Sequence, residues 1–168
     1  MTINENINQL ISNMADQLQK LVAERNLNNP AMIGIQTGGI WVAEQLYKKM
    51  QIQDPLGNLN ISFYRDDFSR IGLHPQVQPS EIPFSTEHRD IILVDDVLFT
   101  GRTIKAAINA IFDFGRPDSI ILAVLVDRGH RELPIQPDVV GKTVELKANE
   151  QIKLLGPTPL QLSVHEVL

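Results

Sequence analysis

Residues 90–114 read DIILVDDVLFTGRTIKAAINAIFDF, and the order of residue types in that stretch decides the fold. Ile91, Ile92, Leu93 and Val94 form a short apolar run rich in β-branched side chains, as in a buried strand of a parallel sheet. Asp95 and Asp96 stand at the C-terminal end of that run. A compact loop follows, made of Val97, Leu98, Phe99, Thr100, Gly101, Arg102 and Thr103. Ile104, Ala107, Ile108, Ile111 and Phe112 then recur at helical spacing. The start of a helix offers unpaired backbone N–H groups and the positive end of its dipole, which suits a phosphate. Gly101 permits a tight turn around such a ligand, and Thr100 and Thr103 add hydroxyl donors. The carboxylates repel phosphate, but they can accept hydrogen bonds from sugar hydroxyls or hold a hydrated Mg²⁺. A phosphorylated sugar with a metal at its other end fits this order. The plainer alternative is a structural strand followed by a threonine-capped helix. Neither the Walker A pattern nor GxGxxG occurs, so P-loop and dinucleotide-binding readings have no support.

Upstream, residues 31–35 read as a second buried strand, followed by Gln36-Thr37-Gly38-Gly39 and a helix over residues 40–49. The adjacent glycines let a backbone come close to a ligand, so this turn is either a second anion seat or a glycine-rich connector. Ahead of it, Ile3, Ile7, Leu10, Ile11, Met14, Leu18, Leu21 and Val22 predict an amphipathic helix of about six turns ending at Asn28-Asn29-Pro30. It reads as a packing or dimer surface. Residues 59–64 alternate as a strand, and residues 69–87, punctuated by Pro75, Pro79 and Pro83, read as a mobile lid or an inert insertion. Downstream, residues 119–126 form another apolar strand, with the polar cluster 127–134 at its end. A turn at 138–142, a last strand at 143–146 and a tail that forms a short extended or edge element complete the reading.

A chain of 168 residues with 43% apolar content is expected to form a single domain, 1–168, with its own core. The absence of cysteine excludes disulfide and thiolate chemistry. A net charge of −5, from 15 basic and 20 acidic residues, gives no general attraction to nucleic acid, although a local basic face is compatible with it. The N-terminus lacks the basic start and apolar centre of a signal peptide, and no apolar run approaches a membrane span. A cytoplasmic protein without membrane contact is expected.

VDDVLFTGRT resembles the phosphoribosyl pyrophosphate (PRPP) signature of type I phosphoribosyltransferases. The match narrows with its neighbours. Gly34-Ile35-Gln36-Thr37-Gly38-Gly39-Ile40, Tyr64-Arg65-Asp66-Asp67, VDDVLFTGRT, Gly115-Arg116-Pro117 and DRGHRELP at residues 127–134 occur in that order. Together, over residues 30–146, they resemble the PyrR family, pyrimidine operon regulators that are also uracil phosphoribosyltransferases. The resemblance implies an α/β type I phosphoribosyltransferase fold, a central parallel sheet flanked by helices with a small hood. It implies conversion of uracil and PRPP to UMP and pyrophosphate, with Mg²⁺ held through PRPP and water near Asp95 and Asp96 rather than by direct protein ligands. Carried over by position, Asp95 and Asp96 contact the ribose hydroxyls, and Val97, Leu98, Phe99, Thr100, Gly101, Arg102 and Thr103 cradle the ribose phosphate. Gln36, Thr37, Gly38 and Gly39 become the pyrophosphate loop, while Arg65 reaches the pyrophosphate or orders the lid. Arg128, His130, Arg131 and the stretch 142–153 fall near the hood and the base. The implied partners are PRPP, uracil, UMP, a pyrimidine-operon mRNA leader and further copies of the chain, as a homodimer or higher homo-oligomer.

Two departures from the family pattern stand out. Members often carry a basic residue in the pyrophosphate loop, near the positions of Gln36 or Gly38, so affinity there rests on backbone amides, Mg²⁺ and Arg65. The first helix, part of the basic RNA-binding face in the family, supplies only Lys20 and Arg25, with Asp16 and Glu24 nearby. A UMP- and PRPP-sensing RNA-binding regulator with little turnover is therefore the alternative to the enzyme. A purine phosphoribosyltransferase is a third reading, because the hood that selects the base is the least readable part.

Overall fold

The computed structural model describes residues 2–3, 5–61 and 79–168. Its centre is a five-stranded parallel sheet formed by β2 (Ala31–Ile35), β3 (Gly57–Leu59), β4 (Asp90–Leu98), β5 (Ser119–Asp127) and β6 (Val139–Thr143), in the order β3-β2-β4-β5-β6. The continuous apolar runs of β2, β4 and β5 follow from burial on both faces. Ile92, Val94, Ile121 and Ala123 face a core shared with α1 (Ile7–Glu24) and α2 (Gly38–Lys49), whereas Ile91, Leu93, Leu122 and Val124 face α3 (Arg102–Phe114). No helix among the described residues is long and apolar enough to cross a membrane.

From β2 the chain steps outward to β3, then returns across β2 to begin β4 and continues outward through β5 and β6. The strand order therefore reverses between β2 and β4. Ligands of open α/β sheets sit beyond the carboxyl ends of the strands at such a reversal. The turns that follow β2 and β4 are the two singled out in the sequence.

Several boundaries differ from expectation, each for a local reason. The first helix begins at Ile7, because Asn6 caps it by accepting the Gln9 N–H at 3.1 Å and Thr2–Ile3 forms a short strand, β1. Its apolar face, Ile7, Ile11, Met14, Ala15 and Leu18, is buried in the chain's own core, so it does not supply a free dimer surface. Strand β4 does not stop at Val94. It runs through Asp95, Asp96 and Val97 to Leu98, because the equally long β5 pairs alongside it, Asp95 with Val124 and Leu98 with Asp127. The edge strand ends at Leu59, where its ladder partner β2 ends at Ile35, while residues 62–64 of the expected strand lie outside the described residues.

The expected lid divides similarly. Residues 69–78 lie outside the described residues, but 79–87 are anchored. Asn58 and Glu81 exchange backbone hydrogen bonds of 2.7 Å, and Ile82 and Phe84 pack on the core. The expected turn at 138–142 is instead strand β6, because Asp138 grips Leu122 through two 2.8 Å hydrogen bonds and sets Val139 beside Ala123. The tail is not an edge element. β8 (Gln161–Glu166) is the middle strand of a second, antiparallel sheet, flanked by β1 and by β7 (Glu150–Leu155). Ile152, Leu154 and Leu162 join this small sheet to the core shared with α1 and α2. It forms the hood.

Candidate functional site

The two turns at the sheet reversal meet. An ideal Cβ at Gly38 would lie 2.2 Å from Asp96 Oδ2, and one at Gly39 would lie 2.8 Å from the Val94 carbonyl oxygen. Only glycine allows the start of α2 to press against the end of β4 this closely. The acidic pair is ordered by its own backbone. Asp95 Oδ1 accepts the Asp96 N–H at 2.9 Å, and Asp96 Oδ1 accepts the Val97 N–H at 2.8 Å. Asp95 is 4% exposed, while Asp96 is half-buried and reaches the crevice.

Both helices that begin here are bare at their N-termini. α3 starts from Gly101, at φ 95° with no side-chain cap, and α2 starts from Thr37, also without a side-chain cap. Thr100, one residue ahead of the cap position, engages the first N–H of α3, its Oγ1 accepting from Arg102 at 3.2 Å. The scaffold helix α1, by contrast, has its Asn6 cap. Uncapped first turns leave N–H donors and the positive dipole end available to anions.

Beside the start of α2 lies a cavity of 360 Å³ lined by Gln36, Thr37, Gly38, Trp41, Asp96, Val97, Ile152, Lys153 and Leu154. The expected pyrophosphate loop, one member of the acidic pair and the hood thus share one space. Gln36 is not loose within it, because its amide Nε2 donates to Asn58 Oδ1 and its backbone N–H to the Leu59 carbonyl. The Gln36–Thr37 peptide is cis. Trp41 went unnoticed in the sequence, and Lys153 was covered only by the stretch 142–153. The period-2 pattern of β7, with Ile152 and Leu154 buried and Lys153 exposed, was the available signal.

The DRGHRELP segment forms a backing for the turn at residues 98–101. The Arg128 N–H donates to the Leu98 carbonyl, and the N–H groups of Glu132 and Leu133 both donate to the Thr100 carbonyl, at 2.9 and 3.1 Å. Arg131 donates to the Phe99 carbonyl at 3.0 Å and grips Asp127 through both guanidinium nitrogens, at 2.8 and 2.7 Å. That guanidinium holds the Asp127 carboxyl below its ordinary pKa, against the opposing effect of its burial. Glu132 pairs with Arg102 at 2.9 Å, in solvent. Ile135 closes over Gly101, where a Cβ would meet it at 3.0 Å. Arg128 is 7% exposed and lies over the exposed Phe99 ring at 3.8 Å from the centroid, and burial lowers its pKa. His130 is an exposed turn residue at φ 61°. Thr103 is half-buried in the first turn of α3. Arg65 lies outside the described residues.

Residues 3–158 match the family model described as the phosphoribosyl transferase domain. The chain is 60% identical over 164 residues to the "Bifunctional protein PyrR" of Nitrosococcus oceani, covering 96% of this chain and 93% of that one. It is 54% identical over 154 residues to the protein of that name from Pseudomonas aeruginosa, covering 92% and 91%. Among solved structures, a Trypanosoma cruzi hypoxanthine phosphoribosyl transferase superposes with a TM-score of 0.66 at 20% identity, covering 87% of this chain and 77% of that one. A Staphylococcus aureus hypoxanthine phosphoribosyltransferase gives 0.63 at 19%, covering 83% and 76%. These two likenesses establish the type I fold. The sheet reversal with its acidic pair, the family model across most of the chain and relatives alike over more than half of their residues agree, and the chain belongs to the PyrR family of phosphoribosyltransferases.

Proposed function

We propose that this chain transfers the phosphoribosyl group of PRPP to uracil, releasing pyrophosphate and forming UMP, with Mg²⁺ as cofactor. The observation that carries the reading is the meeting of Gly38 and Asp96, which puts an anion-seeking helix start and a sugar-seeking carboxylate on one cavity. Uracil as the base rests on the family and on DRGHRELP.

Displacement at the anomeric carbon passes through an oxocarbenium-like state, which needs charge stabilisation and exclusion of water rather than a protein nucleophile. The bare start of α3, from Gly101 to Thr103, seats the ribose phosphate. Asp95 and Asp96 accept the ribose hydroxyls and hold the ring for in-line departure of pyrophosphate toward the amides of residues 36–39. Trp41, Val97 and the hood strand β7 wall the cavity beside that loop, into which the pyrophosphate departs. No group of three or more acidic or histidine side chains that could hold a metal occurs among the described residues. Two hard carboxylates fit Mg²⁺ that keeps its waters and is carried on PRPP oxygens. When bound, Mg²⁺ supplies neutralisation of the leaving pyrophosphate.

The test is pyrophosphate release from PRPP and Mg²⁺ with uracil, hypoxanthine, guanine and adenine in parallel. Turnover is expected with uracil alone, and replacing both Asp95 and Asp96 by Asn should abolish it. An unchanged rate in that variant, or turnover with a purine, overturns the reading.

The bifunctional relatives support a second activity, regulation of pyrimidine genes through an mRNA leader. The helix that would contribute to a basic face here offers Lys20, paired with Glu24 at 3.9 Å, and Arg25, paired with Asp138 at 3.2 Å. Leader binding through this face would have to displace those carboxylates.

A further inference from the structure

We propose that Lys153, on the hood strand β7, is a cation that meets the pyrophosphate of PRPP, supplying charge that the 36–39 loop lacks. This deepens the phosphoribosyltransferase reading and rests on it.

Three observations carry it. First, the loop itself presents Gln36, Thr37, Gly38 and Gly39, none of them charged, and the Gln36 side-chain amide is already committed to Asn58. Second, the cavity that this loop lines is also lined by Lys153, and among the described residues the charged ones on its wall are Asp96 and Lys153. Pyrophosphate entering that space meets one carboxylate that repels it and one ammonium that attracts it. Third, the Lys153 ammonium makes no ion pair or hydrogen bond with any described residue, Asp96 included. Lys142, on β6 of the central sheet, is by contrast paired with Glu5. A lysine that lines a polar cavity without a partner, opposite a bare helix start, is placed to add charge where the leaving group accumulates it.

The placement also has a mechanical basis. β7 alternates, so Ile152 and Leu154 enter the core while Lys153 stays outside it on a strand paired residue by residue with β8, Lys153 opposite Ser163. The ammonium hangs from a rigid strand at the end of a flexible four-carbon stem. It can therefore follow the leaving pyrophosphate a short way without movement of the fold. Loop amides give direction at one end of the diphosphate, and the hood supplies the charge at the other.

Calorimetric titration of pyrophosphate with Mg²⁺ into the protein, with no base present, tests this separately from the choice of base. Lys153→Met should weaken pyrophosphate binding about tenfold, the lower end expected for one charge-assisted contact on a solvent-facing lysine. It should raise the pyrophosphate inhibition constant by a similar factor while leaving UMP affinity within twofold. Lys153→Arg should restore most of the loss. Because Lys153 is exposed, the Met variant should melt with wild-type cooperativity. Unchanged pyrophosphate binding in Lys153→Met overturns the assignment, and so does equal weakening for pyrophosphate and UMP, which would mark a general disturbance of the hood. If the wild-type protein binds pyrophosphate through Lys153 yet turns over no base, the uracil reading fails and the lysine assignment stands.

Discussion

Gly38→Ala tests the central contact of the site with a single methyl group. The new Cβ would lie 2.2 Å from Asp96 Oδ2 and 2.8 Å from Asp96 Cγ, where ordinary contact begins at 3.4 Å. The carboxylate must therefore retreat by about 1 Å. Retreat strains or breaks the 2.8 Å hydrogen bond from the Val97 N–H to Asp96 Oδ1, a charge-assisted bond with a net contribution of about 1.5–3 kcal/mol. Overpacking of this kind costs about 1–3 kcal/mol of stability, a fall in melting temperature of about 2–4 °C per kcal/mol in a chain of this size. Helix propensity offsets little of this, because Gly38 is the first residue of α2 and the Ala advantage of about 1 kcal/mol belongs to helix interiors. The net stability loss should therefore be about 1–3 kcal/mol where the Val97 bond survives and larger where it breaks. The catalytic loss adds to it, because a shift of about 1 Å in a group that fixes the reacting sugar costs about a hundredfold. Steady-state pyrophosphate release should show kcat/KM for PRPP down by about that factor, with a melting curve still cooperative. A double-mutant cycle with Asp96→Ala sharpens the test: once the carboxylate is gone, Gly38→Ala should change the residual rate by less than about threefold. A Gly38→Ala enzyme within threefold of wild type, or one equally damaged in both backgrounds, would refute the contact argument.

The remaining predictions concern the backing of the phosphate turn and the regulatory activity. Asp127 has its pKa held down in the folded chain by Arg131, so the pair contributes stability above the ordinary carboxylate range and loses it as pH falls through the folded value. Thermal melts of wild type and Asp127→Asn should therefore differ at neutral pH, by about 1–3 kcal/mol for a mostly buried pair, and converge as the pH drops below 4. A constant gap across that window would remove the ion pair as the cause. For the mRNA leader, binding is expected at low salt, strengthened by UMP, with log K falling at a slope of about −0.7 per phosphate contacted on a single strand. Failure to bind at low salt would remove the regulatory activity from this chain.

What could be read from the sequence follows how local each feature is. The units 31–49 and 90–114 announced themselves because a parallel strand buried on both faces is a continuous apolar run and the next helix has its own period. Their turns were readable for the same reason, since a phosphate seat is built from consecutive residues. The end of β4 was misjudged because charge is an unreliable strand terminator: Asp95 and Asp96 stay in the ladder when a neighbour as long as β5 is present to pair with them. The run DVVGK looked like a turn because it holds a glycine, yet the Asp138 side chain pins it to β5 and makes it a strand. Asp127 and Arg131 stand in plain view in DRGHRELP, but their bidentate pairing backs the turn that follows β4, a role that no spacing rule gives.

The hood shows the complementary case. Its sheet joins residues 2–3 to 161–166 and 150–155, so its middle strand pairs with both the beginning of the chain and the segment just before itself. A strand of two residues carries no period, and a pairing across nearly the whole chain leaves no local trace. Lys153 gains its meaning only from that assembly, because β7 carries it to the cavity that Gln36, Gly38 and Asp96 line from the far side of the fold. On the proposed reading, the turns that would seat phosphates are contiguous segments, whereas the hood wall of the cavity, Lys153 included, comes from a distant one. This division has a physical cause. A phosphate is held by backbone amides, which any helix start with a glycine turn can present, whereas a planar base needs walls, and walls on two sides require chain from two places. Exchanging the hood strands between members of the fold should therefore change base choice and pyrophosphate affinity while leaving the proposed ribose-phosphate seat at residues 97–103 intact.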